Sequence, residues 1–241
     1  MLRTVFLAGA SGAVGRPLSL QLVAAGFRVV GTTRVPAKVA ALRALGIEPV
    51  VLDVFDAPAL SRAVSEARPE VVFHQLTDLP PALDPARMGG ALERNARLRE
   101  EGTRNLVAAA VAAGARRLVA QSLAFVYAAG PRPWREDAPL LPASDPAMGR
   151  TVEGVLSLER QVLGAPLQGI VLRYGRLYGP GTGFDAPHRM PLHVEAAARA
   201  ALLAIDRGSP GVYNVAEPDG DVAIEKAARD LGWEPRFRSG P

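Results

Sequence analysis

The sequence predicts an α/β fold, a doubly wound parallel sheet of about seven strands with a reduced C-terminal lobe. Three observations predict it. Short apolar runs alternate with helix-length segments along most of the 241 residues. Several of the runs are largely apolar, as strands covered on both faces tend to be. A cluster of glycines follows the first run at once and opens the first helix. Right-handed crossovers then put helices on both faces, with ligands outside the carboxyl ends of the strands.

Each element has its own reason. Thr4–Ala8 is a short β-branched run. Val14–Ala25 has helical length and stops at Gly26. Phe27–Thr33 reads as the second strand. Pro36 opens a helix that runs to Leu45 and ends at Gly46. Pro49–Leu52 is a third strand, Ala57–Ala67 a third helix and Val71–His74 a fourth strand. Leu79–Pro85 is a Pro-rich loop, followed by one long helical region, Arg87–Ala113, stopped by Gly114. Arg117–Ser122 is the fifth strand, and Ala129–Pro146 is irregular. Thr151–Leu163 is helical, Gly169–Tyr174 a sixth strand and Gly179–Pro191 a loop. Val194–Asp206 is helical, Val212–Val215 a seventh strand and Asp221–Leu231 a last amphipathic helix. The expected division is a larger domain over 1–173 and a small lobe over 174–241 that closes the substrate site and adds a further strand to the sheet.

Composition excludes several classes. There are no cysteines, so disulfides, thiolate metal sites and cysteine nucleophiles are out. With 3 histidines and no metal spacing, no metal site is expected. Of 28 basic residues all but Lys38 and Lys226 are arginines, scattered and without interleaved aromatics, so nucleic acid is not an expected partner. No apolar stretch reaches the roughly 20 residues of a membrane helix. Cytoplasm is the expected location, and a homodimer is left open. Neither a Gly-x-Ser-x-Gly elbow nor a Gly-x-x-x-x-Gly-Lys-Ser/Thr loop is present.

Gly9-Ala-Ser-Gly12-Ala-Val-Gly15 carries the first chemistry. A pyrophosphate needs backbone N–H groups aimed at it and no side chain in the way; the helix start adds partial positive charge. Gly9, Ser11, Gly12, Ala13, Val14 and Gly15 are therefore expected to hold a dinucleotide. At the end of the second strand, where a carboxylate would hold a ribose 2′-OH, stand Thr33 and Arg34, with Lys38 a turn later. An arginine suits a 2′-phosphate, so NADP is expected and NAD less so. Asp53 and Val54 end the third strand. There the carboxylate and the next N–H suit adenine, unless Asp53 caps a helix, a role for which Asp56 competes.

Taken together, these residues resemble the short-chain dehydrogenase/reductase superfamily, in its extended branch of epimerases and dehydratases. Besides the glycines and Asp53-Val54, the resemblance rests on Val71–Gln75, Gly102-Thr103-Arg104-Asn105-Leu106, Ser122–Tyr127, Leu172–Gly181, His193-Val194 and Val212–Val215. It implies a Rossmann sheet and a nicotinamide cofactor whose site also takes in Gln75, Leu76, Thr77 and Gln121. The family's Tyr-x-x-x-Lys pair is missing. Tyr127, Tyr174, Tyr178 and Tyr213 are followed four residues later by Pro131, Tyr178, Thr182 and Glu217. Alignment on Glu159 puts Thr151 and Val155 where the pair belongs.

Any proton handling must therefore come from other groups. Tyr127, just beyond the fifth strand, ranks first; Ser122, Tyr174 and His188 are the further catalytic candidates. Ser122 stands one residue off the family's Ser/Thr position and would point the other way along a strand. His74, His193 and Arg150 read as structural or solvated. The expected function is NAD(P)-dependent hydride transfer on a small carbonyl, alcohol or sugar-like substrate, an oxidoreductase or epimerase/dehydratase with atypical catalytic residues. The alternative is an NADP(H)-binding redox sensor or partner-binding protein without turnover.

Overall fold

The apolar runs become nine strands in the computed structural model, which describes residues 2–80, 83–88 and 90–239. They are β1 (Thr4–Ala8), β2 (Arg28–Thr33), β3 (Glu48–Val51), β4 (Val71–His74), β5 (Arg117–Leu123), β6 (Gln168–Tyr174), β7 (Arg176–Tyr178), β8 (Pro191–His193) and β9 (Gly211–Val215). Seven form one parallel sheet in the order β3-β2-β1-β4-β5-β6-β9; β7 and β8 form a separate parallel pair. The chain steps outward from β1 to β3, then crosses back to β4. This reversal opens a crevice at the carboxyl ends of β1 and β4, where Ala8 and His74 lie in register.

Eight helices cover the sheet: α1 (Gly15–Ala24), α2 (Val39–Ala44), α3 (Ala57–Ala67), α4 (Ala91–Arg97), α5 (Thr103–Ala112), α6 (Gly149–Gly164), α7 (Val194–Leu203) and α8 (Glu225–Leu231). The period-two alternation of β1 separates two cores. Val5 and Leu7 pack with α1, α2, α7 and α8, while Phe6 and Ala8 pack with α3, α5 and α6. β9 extends the sheet beside β6, and Trp233 donates from Nε1 to the Ala196 carbonyl at 2.9 Å. Residues of α7, β9 and α8 thus share the first core. Among the described residues no helix is long and apolar enough to cross a membrane.

Three expectations of regularity are corrected. The helix from Pro36 is a 3₁₀ turn over Pro36–Lys38 followed by the short α2. The long region Arg87–Ala113 is broken: α4 starts after Gly90, whose φ is +70°, and a π turn over Leu98–Gly102 separates α4 from α5. β7 and β8, three residues each, are too short to show a pattern in sequence. Pro81 and Ala82 of the Pro-rich loop lie outside the described residues.

Candidate active site

The glycine loop is shaped by its own backbone. Gly9 has φ +94°, and a Cβ there would lie 2.5 Å from the Gln75 carbonyl oxygen, so β4 closes directly against the loop. A Cβ on Gly15 would lie 2.1 Å from the Gly9 carbonyl oxygen, so the start of α1 folds back onto the loop. Gly9 N–H donates to Thr32 Oγ1 at 3.2 Å, and the hydroxyls of Ser11 and Thr33 lie 3.1 Å apart. Among the described residues nothing accepts from the N–H groups of Ser11 and Ala13. Two free amides beside a helix start, with no side chain between, form a cradle that fits a phosphate.

That loop is one wall of a cleft of about 1040 Å³. Gly9, Ser11, Gly12 and Ala13 line it with Thr33, Arg34 and Lys38 from the end of β2, and with Val54 beyond β3. Gln75, Leu76, Thr77, Gln121, Ser122, Tyr174 and His188 line the remainder. Six lining residues are arginine or lysine and one, Asp78, is acidic, so the cleft is built for anions. Val14 and Gly15 are buried beneath the loop and shape it without facing the cleft. Asp53 also stays out of the lining: its Oδ1 accepts from Phe55 N–H at 3.0 Å, while Asp56 caps α3. Arg34 is not free, because its guanidinium pairs with Asp78 at 3.1 Å across the end of β1.

The proton-donor candidates fare differently. Tyr127 lies outside the cleft and lines a smaller neighbouring cavity of about 280 Å³. Its hydroxyl donates to Asn214 Oδ1 at 2.7 Å and accepts from Arg173 at 2.8 Å. Burial pushes the Tyr127 phenol up, against the opposing pull of Arg173. Arg173 also forks onto Glu159 at 2.9 and 2.7 Å, and Ser122 Oγ donates to Glu159 at 2.7 Å. Ser122, Glu159, Arg173, Tyr127 and Asn214 thus form one satisfied buried network tying β5, α6, β6 and β9. Tyr174 donates to the Ala197 carbonyl at 3.1 Å, and burial pushes its phenol well above the usual range. His188 lies in an exposed loop against Phe184. On α6, Thr151 and Val155 are buried and neither lines the cleft. Sequence reasoning ranked Tyr127 first because of its place after β5; its hydroxyl instead turns inward to Arg173.

His74 was read from the sequence as structural or solvated; Arg99 was not singled out. His74 is fully buried, with Nε2 2.9 Å from Thr103 Oγ1. Burial, helped by the charge of Arg99, pushes it down to about 4, so it is neutral at physiological pH. Arg99 itself lines the cleft from the π turn and is buried. No local signal marked it: the residues buried with it along this stretch include Asn95 and Gly102, so no apolar stripe singles out position 99.

Residues 9–176 match the model of a family described as NAD(P)H-binding. A curated Streptomyces protein, 3-diazoavenalumate denitrifying reductase, is 42% identical, over 96% of this chain and 82% of that protein. Among solved structures, UDP-glucose 4-epimerase of Thermotoga maritima with UDP-glucose superposes with a TM-score of 0.79 at 19% identity, covering 98% of this chain and 94% of that one. The Bordetella bronchiseptica enzyme WbmG in complex with NAD gives a TM-score of 0.74 at 18% identity, covering 99% and 91%. With the phosphate cradle, the cleft above it and a match over most of the chain, the protein belongs to the NAD(P)H-binding family, on a Rossmann-type fold that it shares with these solved structures.

Proposed function

We propose that this chain is an NADPH-dependent reductase that delivers hydride to an anionic, electron-poor acceptor of the diazo carboxylate kind, without a protein proton donor. The observation that carries the reading is that the hydroxyls of the serine and the two tyrosines expected to handle a proton are committed to other partners. Ser122 donates to Glu159, Tyr174 to Ala197 and Tyr127 to Asn214. Reduction of a carbonyl needs an acid to protonate the new alkoxide. Where the diazo group of the acceptor is the cationic diazonium, replacement of its nitrogen, R–N₂⁺ + H⁻ → R–H + N₂, consumes hydride and no proton. A relative at 42% identity, named for reducing 3-diazoavenalumate, supports the same reading and argues for turnover over a sensor role.

A bound nicotinamide dinucleotide supplies the hydride. The chain's own residues divide the work of holding it. The Gly9–Gly15 loop receives the pyrophosphate on the N–H groups of Ser11 and Ala13. Arg34 and Lys38 receive the 2′-phosphate, and the absence of a carboxylate at the end of β2 supports NADP over NAD. Val54 faces the adenine, with Asp53 beside it. Gln75, Leu76, Thr77 and Gln121 border the nicotinamide end; Gln121 is fixed there by donating to the Leu76 carbonyl at 3.1 Å. The apolar side chains of Leu76, Leu98 and Leu158 keep water from the acceptor. The test is turnover of a diazo carboxylate with 4-deuterated NADPH. We expect deuterium on the product carbon and one N₂ per NADPH; NADPH binding without consumption would return the chain to the sensor reading.

A further inference from the structure

Arg99 is 7% exposed, lines the cleft and has no partner among the described residues. The carboxylates around it are spoken for. Glu100 pairs with Arg150, Glu101 with Arg97, Asp78 with Arg34 and Glu159 with Arg173. His74, close enough to feel the charge of Arg99, is neutral. Burial lowers the guanidinium only to about 10, so it stays charged at neutral pH. An uncompensated buried cation is costly, and sites that keep one use it. It stands on a π turn, an irregularity often found at functional sites.

The position indicates which anion it meets. The phosphate cradle and α1 belong to one face of the sheet; the α4–α5 segment that carries Arg99 lies on the other. The guanidinium therefore enters the cleft from the side opposite the phosphate loop, beside the apolar Leu98 and Leu158. We propose that Arg99 is a substrate-binding residue whose guanidinium takes the carboxylate of an acid with an apolar body, which Leu98 and Leu158 would receive. The inference rests on the reductase reading for its substrate class, but its test does not need turnover.

The probes are cinnamate, 4-hydroxycinnamate and their methyl esters, titrated calorimetrically into the NADP⁺-loaded protein at millimolar concentration. Arg99→Met keeps the packing and removes the charge; Arg99→Lys keeps charge without the fork. We expect the acids to bind better than their esters, and Arg99→Met to weaken the acids by roughly tenfold to a hundredfold, the loss of a charge-assisted contact. Arg99→Lys should recover part of it. NADP⁺ affinity should stay within about twofold of the parent, and the thermal midpoint of Arg99→Met without ligand should not fall, since an unpaired buried charge has gone. Acid binding unchanged in Arg99→Met, esters binding as well as acids, or no acid binding at all would each overturn the proposal. So would a selective loss of NADP⁺ affinity, which would assign Arg99 to the cofactor. Failure of the parent protein to bind any dinucleotide would instead sink the reductase reading, and acid-over-ester binding without cofactor would still decide the role of Arg99.

Discussion

Replacing Tyr127 with phenylalanine separates a structural hydroxyl from a catalytic one. The phenylalanine keeps the ring, which stacks on Trp134 with centroids 5.8 Å apart. It removes one hydrogen bond to Asn214 at 2.7 Å and one from the charged Arg173 at 2.8 Å. A neutral hydrogen bond contributes about 1 kcal/mol and one to a charged group about 1.5–3 kcal/mol. Arg173 keeps Glu159 and the Glu136 carbonyl, so no guanidinium charge is left bare. The expected loss is about 2–4 kcal/mol, or roughly 4–16 °C in the thermal midpoint for a chain of this size. Urea unfolding reads the stability, and stopped-flow oxidation of NADPH reads the hydride step. The step should stay within about twofold of the parent, against the 10²–10⁴-fold that a positioned acid contributes. An unchanged unfolding midpoint with a hydride step slowed tenfold or more would put Tyr127 at the reacting atoms and refute the reasoning.

Other perturbations follow from the same geometry. Gly15→Ala forces a methyl against the Gly9 carbonyl, so a folded variant should bind NADPH at least about tenfold more weakly by fluorescence titration; normal binding would move the phosphate site. Arg34→Ala should cost NADPH roughly tenfold or more and spare NADH, whereas Asp78→Asn, by freeing Arg34, should tighten NADPH. An unchanged NADPH/NADH ratio in both variants would place 2′-phosphate recognition elsewhere. His74 predicts an acid limb of stability. An unfolded histidine titrates near 6.5, while His74 is held down to about 4. Below pH 6.5 the unfolded chain takes up a proton that the folded chain refuses, so stability is complete above 6.5 and falls toward pH 4 by about 3 kcal/mol. Glu48, Glu70 and Asp206, lowered by their arginine partners, lose their contributions only at lower pH. His74→Gln should flatten urea midpoints between those two pH values; an equal slope in both proteins would show that the histidine is not the cause.

What the sequence made legible was whatever local pattern encodes. Strands such as β4 were readable because a strand buried on both faces carries a near-continuous apolar run, as in Val71–Phe73. The phosphate loop was readable because its glycines sit between a strand and a helix. Tertiary pairing was not. Arg34 and Asp78 are far apart in the chain, and only the adjacency of β1 to both β2 and β4 brings their loops together. Tyr127 was read from its position after β5, but side-chain direction depends on Arg173 and Asn214, which arrive from β6 and β9. The π turn hides in an ordinary helical composition, and Arg99 looked like one of many solvated arginines.

The claim that this cleft delivers hydride without a protein acid is tested most directly by the pH profile of one step. Single-turnover oxidation of NADPH by a diazo carboxylate would be followed between about pH 6 and pH 9, the range in which a catalytic acid would reveal itself. A level profile is predicted, in the parent protein and in Tyr127→Phe alike. A rate that falls with rising pH along a single titration, and loses that dependence when one cleft residue is replaced, would contradict the account.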